Sequence, residues 1–222
     1  MNTPNGSHPH ALVVNEIFFS IQGESSFAGR PCVFVRLTYC NIRCSYCDTE
    51  YAFTEGEEMS IAGIVKRVGE YRCGLVEITG GEPLVQENVH ELIAGLCGLG
   101  YEVLLETGGT LDISGIDARV RRIVDFKCPS SGMEKKNRWE NAAYLKEGDE
   151  VKFVIGTRED YDWAKGKMAE HSLELRCPVL MSVVFGRLEP VRLAEWIHSD
   201  RLNVRLQLQM QKYLWDPKAR GV

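Results

Sequence analysis

Three cysteines, Cys40, Cys44 and Cys47, fall within eight positions of one another, separated by three residues and then two. They come just after an apolar run that holds Val33, Phe34, Val35 and Leu37. Soft thiolates crowded into one loop suit an iron–sulfur cluster or zinc. Cysteine-only zinc sites and ordinary ferredoxin clusters need a fourth ligand. Three thiolates on a 4Fe–4S cluster instead leave one iron open, and an open iron can bind a cofactor. A zinc loop and three unrelated thiols are the competing readings of the same spacing. The other five cysteines, Cys32, Cys73, Cys97, Cys128 and Cys177, are scattered through apolar or turn segments.

At 222 residues the chain is most simply one domain, long enough to bury roughly 70% of its unfolded surface. A net charge of −5 argues against a nucleic-acid surface, which is usually basic. No apolar run reaches the ~18 residues of a membrane span, and Met1 to His10 carries no apolar core of a signal peptide. A reducing cytoplasm is therefore the expected location. Residues 1–11, with Pro4, Gly6 and Pro9, read as a disordered tail, in which His8 and His10 bind nothing specific. Residues 12–222 read as the domain.

Strand and helix patterns alternate along that domain. Leu12 to Ser20 and Pro31 to Tyr39 are strand-like, and the cysteine loop follows the second of them. Ile61, Ile64, Val65 and Val68 fall at helical spacing behind a Ser60 cap; Val89, Leu92, Ile93 and Leu96 do so behind Asn88. Strands are expected at 75–79, 102–106, 122–126, 151–155, 178–184 and 203–208. A short helical piece is expected near 139–146, and helices are expected after Thr157 and from Pro190 to His198. Such alternation implies parallel strands with right-handed crossovers. The expected fold is α/β, a partial (open) α/β barrel of about six parallel strands. Polar, glycine-bearing segments follow the strands, where α/β barrels place their active sites.

Cys40-Asn41-Ile42-Arg43-Cys44-Ser45-Tyr46-Cys47 and, one strand and one helix later, Thr79-Gly80-Gly81-Glu82-Pro83 resemble two motifs of radical S-adenosylmethionine (radical SAM) enzymes. The resemblance implies a 4Fe–4S cluster on Cys40, Cys44 and Cys47, whose open iron chelates S-adenosylmethionine and cleaves it to a 5′-deoxyadenosyl radical. It also implies cofactor contacts at Tyr46, Asp48, Gly80, Gly81 and Glu82, and at Glu106, which otherwise caps a turn. Lys127, Cys128, Pro129 and Ser130 form a further strand-end loop near the cofactor. Cys128 is there either a fourth cluster ligand or an inert thiol.

Phe18-Phe19-Ser20-Ile21-Gln22-Gly23-Glu24, Gly29-Arg30-Pro31, Phe34-Val35-Arg36 and Asp48-Thr49 narrow the likeness, together with 127–132 and 209–222. They resemble the 7-carboxy-7-deazaguanine synthase family. That family converts 6-carboxy-5,6,7,8-tetrahydropterin to 7-carboxy-7-deazaguanine with loss of ammonia, on the way to queuosine; the reaction needs S-adenosylmethionine, and the mechanism expected here regenerates it. The resemblance implies Mg2+ on Thr49 and substrate contacts from Ile21, Gln22, Gly23, Glu24, Arg36 and Thr79. An external flavodoxin- or ferredoxin-like electron donor and a homodimer are implied by the same likeness. Arg36 can grip a carboxylate through two hydrogen bonds, or form a plain surface ion pair.

The tail departs from the family pattern. Gln211 stands before Lys212 where relatives often carry a histidine; it can hydrogen-bond a substrate carboxylate but cannot become cationic. Lys212 is either part of the site or a surface charge. Arg220-Gly221-Val222 resembles tails that fold back over the site, with Val222 at the substrate or else in a disordered end. A glycyl-radical-enzyme activase shares the triplet but leaves Ile21 to Glu24 and Asp48-Thr49 unexplained. A non-catalytic zinc or iron–sulfur module is the other alternative.

Overall fold

A computed structural model describes residues 10–222. β1 (Ala11–Ile21) turns back into β2 (Pro31–Leu37) as an antiparallel pair with Ile21 opposite Pro31. β3 (Glu57–Ser60) lies antiparallel along the other side of β1. From β2 onward the sheet is parallel, through β4 (Leu75–Gly80), β5 (Glu102–Thr107), β6 (Arg121–Asp125), β7 (Glu150–Ile155), β8 (Val179–Val183) and the two-residue β9 (Arg205–Leu206). The order β3-β1-β2-β4-β5-β6-β7-β8-β9 does not close on itself, so the barrel is open. Six parallel strands have five residues or more, as expected, and β9 is a short seventh.

Three details differ from the sequence reading. The first strand runs antiparallel to its neighbours, because the segment after it returns directly: Gln22 N donates to Arg30 O at 2.8 Å and Gly29 N to Gln22 O at 2.8 Å. Ala11, placed with the tail in sequence, is buried in β1, and His10 Nδ1 meets Glu91 at 2.7 Å; His8 and the rest of the tail lie outside the described residues. Asn88 does not cap its helix through its side chain; its Nδ2 donates to Ala11 O instead, at 2.8 Å.

The helices are α1 (Ile61–Glu70), α2 (Val89–Gly98), α3 (Arg158–His171), α4 (Pro190–Asp200) and the single turn α5 (Gln211–Leu214). Ser60 caps α1 by accepting from Gly63 N, and Thr157 with Asp160 forms a capping box on α3. No helix links β5 to β6. Buried Asn141, in the 3-10 turn Trp139–Tyr144, holds that link by donating to Gly109 O and Leu111 O and accepting from Ile113 N. No described helix is long and apolar enough to cross a membrane.

Strand side chains alternate between faces, and the two faces have different fates. Val76, Ile78, Val103, Leu105, Val124, Val151, Phe153 and Ile155 pack outward under the helices with Leu92, Ile93, Leu96, Tyr161 and Met168. Phe27, Cys32, Phe34, Leu75, Leu104 and Ile123 fill the base of the concave face as a separate cluster. Above that base, toward the strands' carboxyl ends, the same face carries Arg36, Glu77, Thr79, Glu106, Asp125 and Lys152. A parallel sheet covered on both sides reads as continuously apolar, so these polar side chains mark where the concave face gives way to a site.

Candidate active site

A cavity of about 490 Å³ opens over the carboxyl ends of the parallel strands. The loop after β2 brings Cys40, Cys44 and Cys47 to its wall, all half-buried. Arg43 folds that loop by donating to Cys40 O at 2.8 Å and Ile42 O at 2.7 Å. Ser45 pins it to the loop after β6, with N donating to Ser131 O at 3.0 Å and Oγ to Ser130 O at 2.7 Å. Burial pushes the Cys44 thiol up to about 11, with the Lys127 ammonium pulling the other way.

Three soft thiols share one cavity wall, and among the described residues no fourth cysteine lines it, which is the donor set of a 4Fe–4S cluster that keeps one iron open. The rest of the wall fits organic ligands rich in N–H donors. Asp125 Oδ1 and Gln211 Oε1 are buried without a partner among the described residues, and both residues line the cavity.

The loop after β4 is pressed against the cysteine loop. Gly81 N donates to Leu37 O at 3.1 Å and Glu82 N to Tyr39 O at 2.8 Å. A Cβ on Gly80 would lie 2.1 Å from Leu37 O, and one on Gly81 would lie 2.2 Å from Tyr39 O. The two glycines thus serve a close approach of backbone to backbone, and both also line the cavity, where the sequence reading places an approach to ligand. Glu82 is fully buried; Leu84 N, Thr107 Oγ1 and Gly108 N donate to its carboxylate, tying the β4 and β5 ends together.

At the centre stands Lys152. Its Nζ lies 2.7 Å from Glu24 Oε2, 2.6 Å from Glu106 Oε1 and 3.8 Å from Asp125 Oδ2. Burial works against its charge, but Glu106, Glu24 and Asp125 outweigh that and hold the ammonium well above its ordinary value. Lys127 pairs with Asp125 Oδ2 at 2.8 Å, and Thr79 Oγ1 donates to Glu106 Oε2 at 3.1 Å.

Residues 21–24, after β1, close one side. Gln22 Oε1 accepts from Glu24 N at 2.8 Å while its Nε2 donates to Glu77, which fixes the orientation of the amide. Gln209 and Gln211 donate to Glu24 Oε1 at 3.1 and 3.0 Å. Arg36 Nε donates to Glu16 Oε1 at 2.7 Å and the guanidinium sits near Phe18 and Tyr51, so the pair is enclosed rather than on the surface. Lys212 Nζ is 2.6 Å from Asp48 Oδ2 and largely buried, and the segment through Val222 folds back along the cavity.

Residues 35–130 match the model of the radical SAM superfamily. The chain is 49% identical over 214 residues to the 7-carboxy-7-deazaguanine synthase of Chlorobaculum tepidum, covering 95% of this chain and 97% of the relative. It is 43% identical over 226 residues to that of Koribacter versatilis, covering 95% and 100%. The chain belongs to the 7-carboxy-7-deazaguanine synthase family. Its fold is similar to the crystal structure of QueE from Escherichia coli, with a TM-score of 0.73 and 23% identity over 88% of this chain and 92% of that one.

As a member of the 7-carboxy-7-deazaguanine synthase family, the chain is a radical SAM enzyme of 7-deazapurine biosynthesis that depends on S-adenosylmethionine and a 4Fe–4S cluster. The activase and the passive metal module are set aside by this membership. The cavity gathers all but three of the site residues read from the sequence: Cys40, Cys44, Cys47, Tyr46, Asp48, Thr49, Ile21 to Glu24, Arg36, Thr79 to Glu82, Glu106, Lys127, Gln211 and Val222. Cys128, Pro129 and Ser130 are not on its wall. The Cys128 thiol is fully buried in the main core, and Ser130 Oγ donates to Asp160 Oδ2 at 2.5 Å. Sequence reasoning passed over Lys152, Asp125, Glu77, Gln207 and Gln209. A single charge inside each of three apolar runs, at Glu77, Asp125 and Lys152, was the available signal.

Proposed function

We propose that this cavity converts 6-carboxy-5,6,7,8-tetrahydropterin to 7-carboxy-7-deazaguanine with loss of ammonia, as the names of the relatives suggest. The observation that carries the reading is that the three cysteines and residues 21–24, which lie on either side of β2, face one cavity. Cluster-bound S-adenosylmethionine supplies, when present, the abstraction of hydrogen from C6 of the pterin and its later return.

The chain's own residues bind, orient and exclude water. Cys40, Cys44 and Cys47 hold the cluster. Tyr46, Asp48, Glu106, Lys127 and the backbone at Gly80 to Glu82 surround the cofactor. Ile21, Gln22, Gly23, Glu24 and Thr79 meet the pterin edge, with Gln22 already oriented by Glu24 N. The outer guanidinium edge of Arg36 faces the substrate carboxylate, since Arg36 Nε is taken by Glu16, and Gln211 can add only the Nε2 proton it does not give to Glu24. Thr49 would offer a hydroxyl to Mg2+, a hard ion that prefers oxygen ligands and would supply Lewis-acid polarisation of the substrate carboxylate. A flavodoxin- or ferredoxin-like protein supplies the electron, and the working form is a cytoplasmic homodimer.

The test is an anaerobic assay of the reconstituted protein with the carboxytetrahydropterin, S-adenosylmethionine, reductant and Mg2+. Formation of the deazapurine without net consumption of S-adenosylmethionine is expected. Stoichiometric consumption with no deazapurine would overturn the reading.

A further inference from the structure

We propose that Lys152 is a positioning residue that couples the substrate and cofactor halves of the cavity, so that filling either half tightens binding in the other. The inference rests on the reading above, in which Glu24 faces the pterin and Glu106 the nucleoside of S-adenosylmethionine.

An ammonium has three donors and no acceptor. Lys152 commits two of them, at 2.7 Å to Glu24 Oε2 and 2.6 Å to Glu106 Oε1. Among the described residues no other side chain hydrogen-bonds both carboxylates. The oxygens of each are divided alike. Glu24 Oε2 takes Lys152 and Gln207, while Oε1 takes only the tail amides of Gln209 and Gln211. Glu106 Oε1 takes Lys152, and Oε2 takes the Thr79 hydroxyl. Each carboxylate thus has one oxygen fixed by charge and one held by neutral donors that a ligand can replace.

The bridge itself has little room to move. Lys152 lies mid-strand in β7 with its side chain only 6% exposed. A ligand that donates to Glu24 Oε1 fixes Glu24, and through Lys152 it fixes Glu106 before the second ligand arrives. The ordering cost is met once for two sites, which is positive coupling without a large structural change.

The experiment measures S-adenosylmethionine binding to anaerobic, cluster-loaded, unreduced enzyme by calorimetry, with and without the carboxytetrahydropterin, so that no turnover occurs. In the wild type, saturating pterin should tighten S-adenosylmethionine binding by about fivefold or more, the lower end of typical coupling. In Lys152→Met the ratio should fall to near one, while Lys152→Arg keeps part of it. Glu106→Gln, which leaves the ammonium but weakens its hold on the cofactor side, should also reduce the ratio and serves if Lys152→Met does not fold. A merely structural lysine would weaken both ligands and leave the ratio unchanged; that result, or a ratio of one in the wild type, overturns the proposal. Failure of the wild type to bind the pterin at all would instead overturn the functional reading, and the coupling with it.

Discussion

Lys212 Nζ lies 2.6 Å from Asp48 Oδ2, joining the carboxyl-terminal segment to the residue that follows the third cysteine. The same ammonium sits 5.4 Å from the Phe185 ring centroid. Asp48 is about half exposed at 48%, so the pair contributes at most about 1 kcal/mol. Lys212→Met should therefore loosen the segment without unfolding the domain. A rise of up to about fivefold in KM for the pterin is expected, with faster proteolysis within residues 216–222. Unchanged KM and unchanged protease resistance would show that the pair does not hold the segment over the cavity.

Gly81 is a harsher case. A Cβ there would lie 2.2 Å from Tyr39 O and 2.7 Å from its carbonyl carbon, and backbone atoms have no rotamer to escape to. Gly81→Ala must part the two loops, with loss of the Gly81–Leu37 and Glu82–Tyr39 hydrogen bonds. Those two bonds alone account for about 2 kcal/mol, or several degrees in Tm for a chain of this size. Because Cys40 sits on the displaced loop, iron and sulfide per chain after reconstitution should fall as well. Gly95→Ala, in α2 with nothing within 4 Å of the new Cβ, is the control and should be neutral or slightly stabilising. Wild-type iron content in Gly81→Ala would show that the loops tolerate separation.

These two cases show where the sequence was readable. Cys40, Cys44 and Cys47, and Ile21 to Glu24, are contiguous motifs, so their chemistry needs no knowledge of long-range pairing. The buried strands were legible as apolar runs bounded by turns. The direction of β1 was not, because a nine-residue return from Gln22 to Arg30 carries no tight-hairpin signature. Nor could Glu77, Asp125 and Lys152 be assembled from sequence. Each is one polar residue in an apolar strand, and which face looks inward depends on the register of three strand pairs. Gln207 and Gln209 alternate, as one face of an extended segment does, and Gln211 follows at the start of α5. Only the fold shows that Glu24 lies across from them.

Glu77 sets a pH dependence. Burial pushes its carboxyl well above the ordinary value near 4.5; Glu106 and Glu24 add to the rise, and Lys152 and Arg36 oppose it. In the unfolded chain Glu77 releases its proton near pH 4.5, while the folded chain keeps it to higher pH. Between those points the folded state binds more protons, so unfolding free energy falls as pH rises. Glu77→Gln is nearly isosteric and still offers an oxygen to Gln22 Nε2. Its Tm should exceed that of the wild type at neutral pH, with the advantage vanishing below about pH 4. Parallel Tm-against-pH curves for the two proteins would show that Glu77 ionises in the folded state as it does in the unfolded one.

Thr49 bears on the metal. It precedes the 3-10 turn Glu50–Phe53 but makes no side-chain cap bond to it, and its Oγ1 lies 3.7 Å from Cys47 Sγ at the cavity wall. The hydroxyl is thus not spent on the turn, so Thr49→Ala should change the unfolding free energy by less than about 1 kcal/mol. A neutral hydroxyl is a modest ligand for a hard, strongly hydrated ion. Losing it should raise the Mg2+ concentration for half-maximal activity by about tenfold, or about 1.4 kcal/mol, while activity without added Mg2+ stays near the wild-type level. Thr49→Ser keeps the oxygen and should restore the response. Identical Mg2+ titrations for wild type and Thr49→Ala would remove Thr49 from the metal's shell and leave substrate oxygens and water to hold the ion.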